Sequence, residues 1–207
     1  MAQSPFADYF NHTSSDERAC SVSFSKAGYA IATSSAVKKG EEVYISYGNH
    51  SNDFLLAEYG FILGDEGGGN EWDEIVLDEY IMPLLSMAEK INLKDQGFLG
   101  NYVLDRRDVC FRTQVAMRLL SIQIRGSTIG SWRAFVYGKD DGEKGQKAAD
   151  QVLLKVLRKV QKDVRAKIEA FENLGSEIGD ECQRDMLRRR WEQIGALVQS
   201  AVDRIPN

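Results

Sequence analysis

Apolar positions along the chain follow two different periods, and the change between them falls near residue 70. In the first stretch, apolar and polar residues alternate over short runs broken by turn residues. Tyr29-Ala30-Ile31-Ala32-Thr33 reads as one strand and Lys38-Lys39-Gly40-Glu41 as a turn, after which Val43, Ile45 and Tyr47 alternate with Tyr44 and Ser46 as a second strand. Asn52 is placed to cap a short helix through Phe54, Leu55, Leu56 and Glu58, stopped at Tyr59-Gly60.

Beyond residue 72 the spacing becomes three to four. Leu77, Ile81, Leu84, Leu85 and Ala88 form a stripe that Pro83 interrupts, which predicts a kinked or divided helix. Phe111, Val115, Leu119 and Ile122 predict another, with Asp108 as its cap. The longest signal runs from about Gln146 to Asn173, with Leu153, Val156, Leu157, Val160, Val164, Ile168 and Phe171 on one face, and closes at Leu174-Gly175-Ser176. Asp180 then leads into Met186, Leu187, Trp191, Ile194, Leu197, Val198 and Val202, a last helix ending before Pro206. The two long helices are expected to fold back as an antiparallel hairpin. The fold class is therefore α+β. A β-rich segment spans residues 1–63, a linker spans 64–71, where Gly67-Gly68-Gly69 disfavours regular structure, and an all-α unit spans 72–207.

Composition narrows the function. A chain of 207 residues with 43% hydrophobic and 28% charged residues can bury a sizeable core. Its formal net charge is −5, but residues 1–71 hold 4 Lys+Arg against 10 Asp+Glu, while residues 72–207 hold 22 against 21. An acidic total argues against nucleic acid as the main partner. No apolar run approaches the roughly 18 residues of a membrane span, and Met1-Ala2-Gln3-Ser4-Pro5 lacks the charged-then-apolar pattern of a secretory signal, so no membrane association is expected. Cys20, Cys110 and Cys182 fit neither a disulfide framework nor a zinc pair and read as small buried apolar residues of a cytoplasmic or nuclear protein. With only His12 and His50 present, no metal site is expected. His50 reads as solvated in a polar turn. The basic run Lys155, Arg158, Lys159, Lys162 and Arg165, with Arg188 to Arg190, reads as a salt-bridged solvated face, because residues 151–204 balance 11 basic with 9 acidic groups.

Three clusters carry candidate chemistry: Ala7-Asp8-Tyr9-Phe10-Asn11-His12, then Gly40-Glu41-Glu42-Val43-Tyr44-Ile45-Ser46-Tyr47-Gly48, then Ser51-Asn52 with Leu55-Leu56 and Tyr59-Gly60-Phe61. By residue type alone, aromatics at strand ends mostly pack a core. In this order and spacing, however, the clusters resemble the C-terminal half of a SET domain, of the subgroup that includes the Rubisco large-subunit lysine methyltransferase and related protein-lysine methyltransferases. The resemblance implies S-adenosylmethionine as cofactor, beside a knot-like crossing of Asn11-His12 with Tyr44-Ile45-Ser46-Tyr47. Asn11 would bind it through its amide, and His12 mainly through backbone groups rather than as a base. Tyr47 matches the catalytic tyrosine, Tyr59 a second tyrosine of the lysine channel and Asp8 a substrate-contacting carboxylate. The helical unit looks like the family's substrate-binding domain, which docks a protein bearing the target lysine.

The chemistry asks for these residue types. A lysine amine titrates near about 10.4 and must be neutral to attack a methyl group. A channel walled by Tyr47, Tyr59 and Phe61 would disfavour the ammonium by desolvation, while a tyrosine hydroxyl, with a pKa of about 10, stays neutral and keeps an oxygen to offer. In the family, strands and a Gly-x-Gly loop precede the Asn-His motif, so the sequence reads as the C-terminal portion of a longer enzyme. Two functions follow as expectations: a protein-lysine N-methyltransferase centred on Tyr47, or an inert fragment whose helical unit binds protein. Self-association through the long helices finds no strict heptad to support it.

Overall fold

The computed structural model describes residues 8–14, 18–26, 28–64, 69–124, 126–173, 175 and 178–206. Residues 65–68 of the expected linker, and Leu174 and Ser176 of the expected turn, lie outside the described residues. The fold class is α+β, as the two periods predict. In chain order the elements are β1 (Asn11–His12), β2 (Ala19–Ser25), β3 (Gly28–Ala32), β4 (Tyr44–Ile45), α1 (Asn52–Tyr59), β5 (Glu74–Val76), α2 (Asp78–Ile81), α3 (Met87–Asp95), β6 (Val103–Asp105), α4 (Phe111–Leu120), α5 (Ile129–Val136), α6 (Gly142–Glu172) and α7 (Glu181–Arg204), with a 3-10 turn over Met82–Leu84.

The first sheet has the order β1-β4-β2-β3, with β4 parallel to both of its neighbours and β2 antiparallel to β3. The strand expected through Tyr47 stops at Ile45, because the N–H of Tyr47 is donated to a side chain rather than to a neighbouring strand. The β2–β3 hairpin reaches into solvent, where Phe24 and Tyr29 pack on each other at 4.8 Å. Its strand β2 escapes the sequence pattern because one residue of it, Cys20, is buried. Helix α1 is capped by Ser51, whose side chain accepts from Phe54 N–H, and not by Asn52, which is the first helical residue and is turned inward. Gly60, in the left-handed region at φ 76°, ends the helix with its N–H on Leu56 O.

The helical unit follows its apolar stripes closely. Pro83 sits in the 3-10 turn that divides α2 from α3, and Ser86 with Glu89 closes a capping box at the start of α3. Helix α4 begins after Cys110 rather than Asp108, since Asp105 and Asp108 are engaged in a tight turn whose N–H groups bond to Asp105 Oδ1. The antiparallel pair β5–β6 and helix α5 are not foreshadowed by any long period. Helix α5 is anchored by Trp132, fully buried, whose Nε1–H donates to Val115 O at 3.0 Å. Asp180 and Gln183 form the capping box of α7. Gln161 bonds to Gln199 at 2.8 Å and Val164 lies against Gly195, so α6 and α7 run antiparallel as expected. One apolar core joins Ile75 through Ala201, including Tyr102, Trp132, Leu157 and Val198; among the described residues none before Ile75 belongs to it. No helix among the described residues is long and apolar enough to cross a membrane.

Candidate active site

Two short strands bring distant residues together. β1 lies parallel to β4, pairing Asn11 with Tyr44 and His12 with Ile45, and Thr13 N–H continues the ladder onto Ile45 O at 3.0 Å. Past β4 the chain turns so that Tyr47 donates its N–H to His12 Nδ1 at 3.1 Å and its hydroxyl to Phe10 O at 2.7 Å. At the other end of the same residue's backbone, His50 Nε2 meets Tyr47 O at 3.0 Å. The only two histidines of the chain thus hold Tyr47 from opposite ends. His50 is not the solvated residue expected from its polar neighbours: its ring stacks on Phe54 at 4.1 Å with 19° between planes.

The glycine stop at Gly60 returns Phe61 towards the same place. The Tyr47 ring lies 4.7 Å from Tyr59, 5.2 Å from His12 and 6.4 Å from Phe61, so four rings face one another. Tyr59 remains 49% exposed, which leaves this aromatic wall accessible from solvent. Burial raises the pKa of the Tyr47 phenol above its ordinary value, with Tyr59 and Asp8 adding to the effect, so it stays neutral at pH 7. Burial lowers that of His12, His50 lowers it further, and a backbone bond to Ile45 opposes both. A neutral ring is what the geometry needs, since Nδ1 can accept from Tyr47 only when unprotonated.

Neighbouring residues on a strand face opposite ways, and Asn11 accordingly does not join the rings. Its Nδ2 donates to Glu42 Oε1, while Glu42 Oε2 accepts from Tyr44 OH at 2.7 Å and Arg18 lies 4.7 Å above the Tyr44 ring. These bonds, that of Tyr44 first, lower the Glu42 pKa, and Glu42 in turn raises that of Tyr44. Asp8 is exposed yet close enough for its charge to act on Tyr47. Of the six residues singled out from sequence, the structure gathers His12, Tyr47, Tyr59 and Phe61 into one cluster. It sets Asn11 on the opposite face of β1 and Asp8 at the approach.

A buried polar junction beneath α1 was not foreseen. Asn52, 1% exposed, accepts from Leu63 N–H at 3.1 Å and donates to Gln193 Oε1 at 2.8 Å, and its backbone N–H goes to Asp73 Oδ1 at 3.0 Å. Asn70 Nδ2 reaches both His50 O and Asn52 Oδ1. Arg190, expected on a solvated face, is 3% exposed and pairs with Asp53 and Asp73, each at 2.7 Å. Burial opposes its charge, but the two carboxylates outweigh burial and raise its pKa. Arg188 does lie in solvent, between Asp185 and Glu192. The signal for Arg190 was available: it falls four residues after Met186 and four before Ile194, inside the apolar stripe of α7. The cysteines divide: Cys20 is buried as expected, Cys110 is half-buried, and Cys182 is exposed because it opens the solvent side of α7.

Comparison with known proteins adds ancestry to this geometry. The family model of the ribosomal lysine N-methyltransferase 2 C-terminal domain matches residues 73–204. The chain is 27% identical over 167 residues to ribosomal lysine N-methyltransferase set11 of Schizosaccharomyces pombe, covering 77% of this chain and 42% of that protein. It is 27% identical over 170 residues to SET domain-containing protein 4 of Mus musculus, covering 80% of this chain and 38% of that protein. Over 80 residues it is 35% identical to ribosomal lysine N-methyltransferase 2 of Saccharomyces cerevisiae, covering 37% of this chain and 16% of that protein. The chain spans less than half the length of these curated relatives.

Proposed function

The chain belongs to the family of the ribosomal lysine N-methyltransferase 2 C-terminal domain, and we propose that it acts as the C-terminal portion of a SET-type, S-adenosylmethionine-dependent protein-lysine N-methyltransferase. The observation that carries this reading is the position of Tyr47, whose neutral phenol donates to Phe10 O while its ring faces Tyr59 and Phe61.

The residues present suit the cofactor. Asn11 has an exposed carboxamide on the edge strand of the sheet, able to exchange Glu42 for a ligand, and the half-exposed rings favour a positively charged sulfonium beside them. When bound, S-adenosylmethionine supplies an electrophilic methyl group. Asn11 and the backbone of His12 would hold its polar parts. Tyr47, Tyr59 and Phe61 would strip water from the entering lysine and favour its neutral amine. The Tyr47 hydroxyl spends its proton on Phe10 O and keeps acceptor capacity for an amine N–H, which orients the lysine lone pair. Neither Tyr47 nor His12 is assigned as the base, since the first stays protonated and the second has its Nδ1 lone pair on Tyr47 N–H. The helical unit would dock the protein that bears the lysine. By analogy with its ribosomal lysine N-methyltransferase relatives, a ribosomal protein is the substrate to try first.

Calorimetric titration with S-adenosylmethionine tests the reading: binding at micromolar cofactor supports it, and silence removes catalysis by this chain. Tyr47→Phe should abolish methyl transfer and leave cofactor affinity nearly unchanged; surviving turnover would show that Tyr47 is not at the reaction centre. A second reading, a protein-binding helical module without turnover, draws on the family match lying wholly within the helical unit. It predicts protein binding by a chain that ignores the cofactor.

A further inference from the structure

Tyr59 and Phe61 sit on a segment whose two ends are fastened to α7. Asn52 at its start and Leu63 at its end are joined directly: Leu63 N–H donates to Asn52 Oδ1 at 3.1 Å and Asn52 Nδ2 to Leu63 O at 3.2 Å. Gln193 of α7 bridges the same two residues, accepting from Asn52 Nδ2 and donating to Leu63 O, both at 2.8 Å. One turn earlier on the same face of α7, Arg190 binds Asp53 in the first turn of α1 and Asp73 beyond the segment. Within α1 itself Asn52 and Leu55 are the buried residues, so little apolar packing fixes its direction.

We infer that Arg190 and Gln193 are positioning residues for Tyr59 and Phe61: α7 of the helical unit sets the orientation of the aromatic wall opposite Tyr47. The inference builds on the proposed role of Tyr59 and Phe61, and it names the residues that regulate their placement. The fork of Arg190 spans two carboxylates from different parts of the chain, a task one ammonium cannot reproduce. Gln193 presents an acceptor and a donor side by side, matching the amide of Asn52 and the carbonyl of Leu63. Rotation of α1 about its base would swing its far end, where the Tyr59 ring lies 4.7 Å from that of Tyr47.

The test uses the 207-residue chain with isotope-labelled tyrosine rings, read by NMR in the wild type and in Gln193→Met, Asp53→Asn, their combination, and Arg190→Lys. Gln193→Met leaves the direct Asn52–Leu63 bonds in place, and Asp53→Asn leaves the buried Arg190–Asp73 pair in place, so these two variants should keep the fold even if Arg190→Lys does not. The expected result is a shift of the Tyr59 ring signals and a loss of the Tyr47–Tyr59 cross-peak, greatest in the combination, with the Trp132 indole signal unmoved. Wild-type Tyr59 signals in the folded combination, or equal disturbance at Trp132, would overturn it. No methyl donor enters this experiment. Silence in the cofactor titration therefore removes the catalytic reading alone, and unchanged ring spectra remove the coupling alone.

Discussion

From Ile75 to Ala201 the chain packs Leu77, Ile81, Leu93, Tyr102, Leu104, Trp132, Leu157 and Val198 out of contact with water, all in one cluster. Between Asp8 and Gly64 the buried side chains among the described residues are Cys20, Ile45, Asn52 and Leu55. The first region is held by apolar burial, at roughly 25 cal/mol per Å². The second depends on hydrogen bonds and ion pairs, each contributing a net of about 0.5–1.5 kcal/mol, so it is expected to open locally before the helical unit does. The difference suits the two proposed tasks: a rigid helical scaffold, and a shallow site whose rings must admit a lysine and let it go.

The largest effect tests the scaffold. Trp132→Ala removes a fully buried ring and its bond to Val115 O, and should cost about 3–5 kcal/mol in urea unfolding followed by circular dichroism. A loss well under 1 kcal/mol would mean that the core does not depend on it. Next comes Leu55→Ala, which should cost about 2–3 kcal/mol locally. Amide exchange should quicken across α1 and stay slow in the centre of α6. Exchange that rises equally in both would erase the contrast between the regions.

Acid sharpens the contrast further. Because the folded state depresses the His12 pKa, the unfolded chain binds the proton more readily. Stability from the neutral ring is then complete above about pH 6.5 and is lost as pH falls through the lower folded-state value. NMR titration should give a His12 midpoint below about 6.5, with the Tyr47 amide signal weakening in step; a midpoint above that contradicts the assigned acceptor role. The smallest effect is at the surface. Lys147→Ala breaks a pair with Glu143 that is 72% and 89% exposed, and the urea midpoint should report about 0.5 kcal/mol or less.

Long amphipathic helices are legible in the sequence. The stripe from Leu153 to Val164, the cap at Asp180 and the division at Pro83 all appear where local chemistry puts them. Short elements are not: Glu74–Val76 pairs with Val103–Asp105 across more than twenty residues, and three residues carry no period. At the site, motif order pointed to Tyr47, Tyr59, Phe61 and His12 together. The side-chain role of His12 and the partnership of His50 with Phe54 stayed hidden, because an imidazole in a polar turn looks the same whether or not a ring covers it.

What the amino-acid order settled alone was what neighbours within a few residues can enforce: the apolar stripes of the long helices, the cap at Asp180, the stop at Gly60, the division at Pro83 and the side-chain types on offer for chemistry. Which of those side chains meet was left to the packed molecule. Asn52 looked like a cap and Arg190 like a solvated charge until chain segments 137 residues apart closed on each other at Asp53. The reason is physical: propensity and periodicity are local energies, whereas the desolvation that makes Arg190 demand two carboxylates exists only once α7 lies against α1.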